Sequence, residues 1–588
     1  MIVPMKKATI IFQSGNADAT VDTVRKLGVM QVEHQNIPEG GKISALLEKV
    51  ALINSSIDVL NQLPISERKN QPQGPISGDW REVAGSIIET GRKQEQLELS
   101  RRNIIGQINE WERWGDIDQA EVRSLAQNGI HLKLYQVPVR ELGKFPDDIV
   151  VKTIYIAGDI AHVVAISRRE FECGFKEVIP PEQGLSRLKE RLAEHTRSMD
   201  MNKSGILNSA GFYDDLLDIK RRLEKEIEFQ EVLAGMGTEG ALSYITGYVP
   251  SDLEDSLIGE ARKNGWGILI AEPSPDDNVP TLLRNPRWVE MIKPVLGLLG
   301  LTPGYRELDI SLVFLIFFSI FFGILIGDAG YGLVYVIITL LLSLWLKKKM
   351  MMTGEMKITL ILFYLLGSCA IIWGVLTGTF FGQWGLTALV PELNDSAFVT
   401  TLCFFLGALH LSIAHCWRAA LKYPSVKALA DVGYICILWT AFFLANTLIL
   451  GDPFPSFGLW LVIAGIILVI LFTNPKRSNI LKGIGEGLGT IALSFMNNIT
   501  DVISYIRLFA VGMATLAVAN TTNYLASGFG SGIIAVVAGA VILLSGHSLN
   551  LILGLMSVLV HGVRLNVLEF SGHANVTWSG TPFEPLKE

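Results

Sequence analysis

A single arginine interrupts an apolar stretch near the end of the chain. The segment ISYIRLFAVGMATLAVAN, residues 503–520, is apolar enough to cross a bilayer, and Arg507 lies well inside it. A guanidinium surrounded by hydrocarbon costs about 3 kcal/mol even on lenient insertion scales. Ionisable side chains at such depths mark ion pathways, proton relays or counter-ion sites. Arg507 is therefore the first candidate for a functional residue.

Polar and small residues form a stripe on each of two long apolar segments. With 100° per residue, the first stripe falls within an arc of about 120° and consists of Asn497, Thr500, Asp501, Ser504, Arg507 and Thr515. The second steps by three and four residues and consists of His547, Asn550, Gly554, Ser557, His561 and Arg564. Two such stripes can line an aqueous path between two helices. For a lone serine or histidine, a contact between packed helices is the favoured alternative.

Neither arginine has an acidic partner at helical spacing. The nearest acids, Asp501 and Glu569, lie six residues from Arg507 and five from Arg564, whereas side chains on one α-helix meet at spacings of three and four. Neither arginine is near enough to a span end to reach the interface easily. We therefore expect their counter-charge to come from elsewhere.

Three other ionisable residues in the apolar half are less clear from sequence. Glu486, at the start of the segment that carries Arg507, is either an acid in an access channel or a solvated residue of a first turn. His410 and His415 share an earlier apolar run and are more typical of packing or interface residues.

The second half of the chain predicts a helical multi-pass membrane domain. Of the 588 residues 49% are hydrophobic, and the mean hydropathy is +0.37. A charged sequence with helical periodicity continues to about Pro294, and long apolar runs follow one another from Ile310 onward. We assign residues 1–300 to a cytoplasmic arm and residues 301–588 to the membrane. About eight spans are predicted, at residues 310–327, 330–346, 358–377, 398–416, 432–450, 458–473, 486–524 and 531–570.

The length of the last two spans predicts a strong tilt. A helix of about 39 residues is about 58 Å long, whereas the hydrocarbon core is about 30 Å thick. Basic residues in the loops predict the orientation, because they occur after the second, fourth and sixth spans and the loops on the opposite side contain none. These residues are Lys347, Lys348, Lys349 and Lys357, then Arg418, Lys422 and Lys427, then Lys476, Arg477 and Lys482. The rule places both termini in the cytoplasm.

The first half predicts an elongated arm. Apolar residues recur at spacings of three and four from Trp80 to Trp111 and again from Leu185 to Leu233, which indicates an antiparallel coiled coil. Strand-like runs at residues 149–157 and 161–167 lie between the two patterns and predict a small lobe. Mixed segments at residues 6–37 and 241–273 predict two further small α/β lobes, one before and one after the coiled coil. Such an arm is typical of a scaffold with no site of its own.

Composition and motifs argue against several classes of function. A net charge of -7 offers no basic surface for nucleic acid. The five cysteines show no spacing typical of disulfides or zinc, so no metal is expected. The opening residues lack a cleavable signal peptide. No phosphate-binding G-x-x-x-x-G-K-[ST] loop is present, since KGIGEGLGT at residues 482–490 leads from a loop into a span. We expect neither an ATPase site nor a cofactor on this chain.

Three motifs resemble one known family. They are Ser504–Ala510 (SYIRLFA), His561–Leu565 (HGVRL) followed by Glu569, and Pro582–Leu586 (PFEPL). They resemble subunit I of V-type (A/V-type) ATPases and ATP synthases, the prokaryotic homologue of the vacuolar ATPase a subunit. The likeness covers the whole chain, including an ITGYVP stretch at Ile245–Pro250.

The resemblance implies a partner for the arginine. In that family the arginine-bearing helix lies along a rotating ring of proteolipid subunits (c/K type), each with a carboxylate at mid-membrane. Arg507 would be the stator charge between two ion half-channels, and Arg564 would support the path. The candidates for lining that path are Glu486, Asp501, Ser504, Tyr505, Thr515, Ser557, His561 and Glu569.

The resemblance also implies location and further partners. They are peripheral-stalk subunits (E/G type), a central-stalk cap subunit (C/d type) and lipid of a prokaryotic plasma membrane. This chain has Thr515 and Gly554 where eukaryotic relatives have histidine and glutamate. The transported ion, H⁺ or Na⁺, is therefore left open.

Two other functions are compatible with parts of the sequence. A stand-alone secondary ion transporter would also contain polar, interrupted spans, with the coiled coil as a regulatory arm. A membrane tether would explain the coiled coil. The long arm argues against the transporter, and two arginines at mid-membrane argue against the tether.

Overall fold

The chain forms two compact units, which are described separately. The computed structural model describes residues 1–69, 75–76, 78–349, 353–383, 387–473, 495–528 and 532–588. The C-terminal unit contains Met1–Ile10, Val29–Glu33 and Thr246–Pro585, and the N-terminal unit contains Ile11–Gly28, His34–Ile245 and Leu586–Glu588. The units are defined by packing, so the boundary expected at residue 300 between arm and membrane stays a prediction.

The first strands and helices of the chain alternate, as the mixed opening segment predicts. Those up to residue 127 are β1 (Met5–Gln13), α1 (Ala17–Leu27), β2 (Gln31–Glu33), α2 (Gly41–Asn61), α3 (Ile65–Lys69), α4 (Trp80–Trp111) and α5 (Gln119–Gln127). Those up to residue 271 are β3 (His131–Pro138), β4 (Val150–Ala157), β5 (Ile160–Ser167), β6 (Lys176–Val178), α6 (Leu185–Ser209), α7 (Tyr213–Gly235), β7 (Gly237–Glu239), β8 (Leu242–Pro250), α8 (Glu254–Asn264) and β9 (Gly267–Ala271).

Long antiparallel helices dominate the N-terminal unit. The α4 residues Ile104 and Ile108 pack with Leu188 of α6, and Ile87 shares a cluster with Ile206. Since the earlier residues of α4 meet the later residues of α6, the two helices run in opposite directions. The helices predicted from the apolar spacing are confirmed, while their supercoiling stays a prediction.

Two antiparallel sheets accompany the helices. The lobe between α4 and α6 has the strand order β4-β5-β3-β6, and β4 and β5 are joined at Gly158, which takes a left-handed φ of 61°. This hairpin confirms the strands predicted on either side of Gly158. In the C-terminal unit, β2 pairs with β8 in a sheet of order β2-β8-β1-β9. Met5, Tyr248 and Val279 form a buried cluster there.

Apolar helices make up most of the C-terminal unit. They are α9 (Lys293–Leu298), α10 (Ser311–Ile326), α11 (Ala329–Lys349), α12 (Gly354–Thr377), α13 (Ser396–Lys422), α14 (Ala428–Leu450), α15 (Ser456–Thr473), α16 (Phe495–Ser527) and α17 (Ile533–Ala574). In the described ranges, six are long and apolar enough to cross a membrane, and the apolar helices Ser311–Ile326 and Ser456–Phe472 are shorter. Each predicted span overlaps a helix within the described residues, but residues 486–494 of the seventh lie outside them and a count of eight crossings stays a prediction.

The last two helices are the longest of the apolar set. Of α16, 33 residues are described, and α17 has 42, which corresponds to about 63 Å of helix. That length is about twice the thickness of the hydrocarbon core. The predicted excess length is confirmed for α17, while the tilt stays a prediction.

Helix α10 forms the centre of the C-terminal unit. It is apolar on all sides, and Phe314, Phe318, Phe321 and Leu325 are almost completely buried. A helix without a polar face needs neighbours on every side. Contacts with α12, α16 and α17 provide them, so α10 supports both helices that carry the polar stripes.

The GDAGYG turn after α10 depends on a buried carboxylate. Asp328 Oδ1 accepts hydrogen bonds from the backbone N–H groups of Gly330, Tyr331 and Phe381, and its Oδ2 accepts one from Gly382. These bonds satisfy donors at the start of α11 and in the segment after α12. Asp328 is thus a structural acid that joins two inter-helix segments, and the predicted tight turn is confirmed.

Helices α14 and α15 approach through two glycines. A Cβ atom added at Gly433 would lie 2.8 Å from the Gly465 carbonyl oxygen, and one added at Gly465 would lie 2.9 Å from that of Gly433. Contacts between small residues of this kind are a common basis for helix association in membranes.

The glycine contact predicts that Gly433→Ala destabilises the chain. The added methyl group overlaps backbone, so the helices must separate, at a cost of about 2 kcal/mol in the free energy of unfolding. Thermal unfolding in detergent micelles should show a lower midpoint. Gly354→Ala is the matched control, because nothing lies within 4 Å of a Cβ atom there. Equal midpoints for the two variants would contradict the prediction.

Candidate functional site

Arg507 lies directly after an irregular turn of α16. The Tyr505 N–H donates to Val502 O, and the Leu508 N–H donates to Tyr505 O, so both bonds span three residues instead of four. In a regular helix the Leu508 N–H would bond to Ser504 O. That carbonyl instead accepts a 2.9 Å hydrogen bond from Arg507 Nε. The irregular turn thereby holds the guanidinium close to its own helix.

The principal partner of Arg507 is an acid on the last helix. Arg507 Nη2 lies 2.5 Å from Glu569 Oε1, and the side chain of Glu569 is only 6% exposed. Arg564 Nε lies 3.7 Å from the same oxygen. The side chain of Arg564 is 55% exposed, compared with 22% for Arg507. Two cations therefore share one carboxylate, and the group keeps a net positive charge.

The pairing corrects one expectation. The resemblance implies that the counter-charge of Arg507 comes from another polypeptide, and in the chain itself Glu569 supplies one. Spacing along a single helix could not show the contact with Arg507, because the two residues lie on different helices, 62 positions apart.

The contact between Arg564 and Glu569 has a second cause. Residues Leu565–Phe570 form a π-helical turn, and so do Val558–Gly562. In an α-helix, residues five apart are about 140° out of line, whereas π-helical bonds join residues five apart. The π turn therefore brings Glu569 toward Arg564. Turns of this kind are frequent at functional sites.

A chain of polar contacts begins at Asp501, on one side of Arg507. Asp501 Oδ2 lies 3.1 Å from His573 Nε2, and His573 Nδ1 lies 2.9 Å from His415 Nε2. The other nitrogen of His415 lies 3.2 Å from Asp431 Oδ1, and Lys422 Nζ lies 2.5 Å from Asp431 Oδ2. The chain connects α16, α17, α13 and α14.

A cavity of about 340 Å³ opens beside this chain of contacts. It could hold several water molecules. Its lining includes His415, Arg418, Tyr434, Asn497, Asp501, Glu569 and His573. The cavity therefore joins the carboxylate that pairs with Arg507 to the two histidines.

A second polar cluster lies on the other side of Arg507. Tyr331 Oη is 2.7 Å from His547 Nδ1 and accepts a hydrogen bond from Asn550, which also donates to Thr515 O. His547 Nε2 lies 3.1 Å from Asn523 Oδ1. Along α16, Asp501 precedes Arg507 by about 9 Å and Thr515 follows it by about 12 Å. Arg507 thus separates two polar clusters.

The remaining predicted residues have different surroundings. Ser504 Oγ donates to Asp501 O, and Thr515 Oγ1 bonds to Val511 O on its own helix. Tyr505 is completely buried and bonds to His410, which is stacked between Phe317 and Phe570. The structure therefore places Tyr505 in the aromatic core and not on the wall of the 340 Å³ cavity.

Three further candidates from the sequence complete the account. Ser557 is partly buried on α17, directly before the first π turn. His561 lies in that turn, and its buried Nδ1 has no hydrogen-bond partner among the residues described. Glu486 falls outside the described residues.

Several residues of these clusters were missed from sequence. Asp431 and His573 lie just outside the predicted fifth and eighth spans, so they were not considered as residues within the membrane domain. Asp431 is an ionisable group beside a long apolar run, so the criterion that identified Arg507 could also have identified Asp431. Tyr331 and Asn523 carry no comparable signal, because a tyrosine or asparagine in an apolar helix is most often a packing residue.

Comparison with known proteins relates the whole chain to one group. No family model matches it. It is 29% identical over 614 residues to V-type ATP synthase subunit I of Borreliella burgdorferi, and the alignment covers 100% of both chains. It is also 29% identical over 637 residues to V-type ATP synthase subunit I 1 of Treponema pallidum, again with 100% of both chains covered.

Among solved structures, the chain matches a crystal structure of the cytoplasmic N-terminal domain of subunit I, homolog of subunit a, of V-ATPase. The match is 14% identical, covers 45% of this chain and 100% of that one, and has a TM-score of 0.22. The full-length relatives carry the conclusion: this chain is similar to V-type ATP synthase subunit I over its entire length.

Proposed function

We propose that this chain is the membrane stator subunit of a rotary V-type ATPase or ATP synthase. The observation that carries the proposal is Arg507, a cation held between two polar clusters in a chain whose relatives are named as subunit I of such complexes. The chain couples passage of H⁺ or Na⁺ to ATP hydrolysis or synthesis. It acts as a non-catalytic subunit, and the ATP chemistry belongs to other subunits of the complex.

In the proposed mechanism Arg507 attracts a carboxylate of a rotating proteolipid ring. The guanidinium keeps its charge whichever ion passes. At about 4 Å and an effective dielectric constant of 20, its attraction for an anion is about 4 kcal/mol, which corresponds to about three pKa units. This is sufficient to make an arriving ring carboxylate release its ion.

Glu569 has a defined part in this mechanism. It balances one of the two arginines, so the net positive charge of the group remains available to a ring carboxylate. Arg507 has five N–H donors, and its hydrogen bonds to Ser504 O and Glu569 Oε1 use two of its nitrogens. Glu569 therefore positions Arg507 while leaving part of its guanidinium accessible.

The two polar clusters are the proposed half-channels. The cavity beside Asp501 and His573 serves one side, and the cluster of Tyr331, His547 and Asn550 serves the other. Arg507 lies between them and prevents ions from passing directly from one to the other, because its fixed positive charge repels a passing cation. An ion must instead travel on the ring.

The arm provides the remaining proposed interactions. We assign it and both termini to the cytoplasmic side, where it contacts peripheral-stalk subunits (E/G type) and a central-stalk cap subunit (C/d type). The membrane helices contact lipid and the proteolipid ring. This arrangement rests on the distribution of basic residues in the loops and on the resemblance to subunit I.

Arg507→Gln is expected to abolish ATP-coupled ion pumping while the complex still assembles. Glutamine keeps most of the side-chain volume but cannot attract the ring carboxylate as a fixed cation. Pumping is measured in vesicles that contain the purified complex. Arg101→Gln, on the arm helix α4, is the control and should pump normally. Sustained coupled pumping by Arg507→Gln would remove the stator assignment.

Glu569→Gln is expected to destabilise the isolated chain more than Arg564→Gln does. Loss of the carboxylate leaves Arg507 without its partner, which lowers the free energy of unfolding by about 2 kcal/mol. This is less than the roughly 3–5 kcal/mol expected when a fully buried pair is broken, because the Arg507 side chain is 22% exposed. Arg564 is mostly exposed, and its removal leaves the Arg507 pair intact. Thermal unfolding in detergent compares the two variants, and a larger loss for Arg564→Gln would contradict this ranking.

Purification distinguishes the stator from the stand-alone transporter. A stator extracted in mild detergent should bring proteolipid and stalk subunits with it, whereas a transporter should elute alone or as a homo-oligomer. Tagging the exposed C-terminus and identifying co-purified chains by mass spectrometry provides the measurement. Elution of the chain by itself, from membranes that contain the other subunits, would favour the transporter.

A further inference from the structure

We propose that His415 and His573 form a pair that carries a proton, and that the ion conducted through this half-channel is H⁺. The inference rests on the proposed function and identifies its substrate. The two imidazole rings contact each other directly, and a carboxylate lies at each outer end of the pair.

Counting hydrogens determines the charge of the pair. Three contacts follow one another, from Asp431 Oδ1 to His415 Nδ1, from His415 Nε2 to His573 Nδ1, and from His573 Nε2 to Asp501 Oδ2. A carboxylate accepts hydrogen bonds, so each outer contact needs an N–H on the histidine. The central contact, at 2.9 Å between nitrogens, needs one more.

Two neutral histidines cannot meet this requirement. Each neutral imidazole carries one N–H, so two rings supply two hydrogens for three contacts. With both hydrogens directed at the carboxylates, two lone pairs would face each other at 2.9 Å. A third hydrogen satisfies every contact and gives the pair one positive charge. The pair therefore holds one proton more than two neutral rings do.

The surrounding charges support this state. Asp431 is 1% exposed and also contacts Lys422 and Arg418, while Asp501 faces the other ring. Arg418 donates to the backbone carbonyl of His573, and Tyr434 stacks on His415. Glu569 lines the same cavity. Without the extra proton, the charges of Asp431 and Asp501 balance those of Arg418 and Lys422, so the cluster that these residues form with the two histidines is neutral. With the extra proton the cluster carries one positive charge.

The same contacts allow transfer along the chain. The His415 Nε2–H bond breaks as an Nδ1–H bond forms on His573, and His573 releases its Nε2 hydrogen to Asp501 or to water in the cavity. One proton leaves for each proton that enters, and each ring must turn or exchange tautomers before the next proton can pass in the same direction. The reverse sequence carries a proton the other way. From the cavity the proton can reach the side of Arg507 where Glu569 lies.

The arrangement does not suit sodium. Hard cations take oxygen ligands, but Asp431 is occupied by two cations and a ring nitrogen, and Asp501 by a second ring nitrogen. A charged imidazole pair would also repel a second cation. A proton, by contrast, passes from donor to acceptor nitrogen along the contact that already exists between the rings.

Nitrogen NMR tests the pair directly. In the full chain labelled with ¹⁵N-histidine in lipid bilayers, we expect a through-bond ¹⁵N–¹⁵N coupling between the two rings. His415→Gln and His573→Gln should each abolish it, and the control His131→Gln, in β3, should retain it. Absence of the coupling in the unsubstituted chain, with both rings seen as neutral tautomers, would overturn the shared proton.

Pumping by the purified complex in sealed vesicles tests the ion. In sodium-free buffer ATP should acidify the lumen, and a protonophore should collapse the gradient. His415→Gln and His573→Gln should slow acidification on the order of a hundredfold, because glutamine bonds without relaying a proton, while His131→Gln should not.

The outcomes separate the two proposals. ATP-driven uptake of ²²Na⁺ without acidification would overturn the assignment of H⁺ while leaving the stator function intact. Normal acidification by both glutamine variants would overturn the role of the pair. ATP hydrolysis by the complex without movement of either ion would instead contradict the proposed function itself.

Discussion

The rest of the C-terminal unit depends on one ion pair, between Arg507 and Glu569. A guanidinium within an apolar bundle is tolerated only with an anion close to it, and an anion in the same place needs a cation. Here two arginines share one carboxylate, so each charge has a partner and a positive charge is left over. A balanced pair would be inert toward a passing anion. An excess of one cation makes the site stable and still attractive to a carboxylate.

Irregular helix geometry makes this arrangement possible. Because of the irregular turn at Tyr505, Ser504 O accepts a hydrogen bond from Arg507 Nε. The π turn at Leu565–Phe570 rotates Glu569 toward both arginines. Such turns have weaker backbone hydrogen bonds than a regular α-helix and need support from their surroundings. The aromatic packing of α10, together with the stack of Phe317, His410 and Phe570, provides that support directly beside the two turns. Aromatic residues of the core thus pack beside the parts of α16 and α17 where the helix geometry is irregular.

Polar contacts also join helices on both sides of Arg507. On one side the chain of contacts from Asp431 through His415 and His573 to Asp501 joins four helices, and on the other Tyr331 and Asn550 join three. Asp328 is a useful contrast, because its carboxylate is completely used by backbone donors and holds two inter-helix segments together. Acids in this unit therefore have two roles, which are distinguished by whether their partners are backbone amides or ionisable side chains.

Local pattern was sufficient to identify the helices of the apolar half, the antiparallel helices of the arm and the hairpin at Gly158, because periodicity and turn residues act over a few positions. It also singled out Arg507 and Arg564 as residues that an apolar environment would not tolerate without a partner, while Glu569 was named as the nearest acid to Arg564 and, through the family resemblance, as a residue lining the path. Their mutual pairing could not be read in this way, because Glu569 meets Arg507 across two helices and meets Arg564 only through a π turn. The tertiary structure alone decided that the counter-charge lies within the chain and that His415 contacts His573, since both depend on how separate helices pack and not on spacing along any one of them.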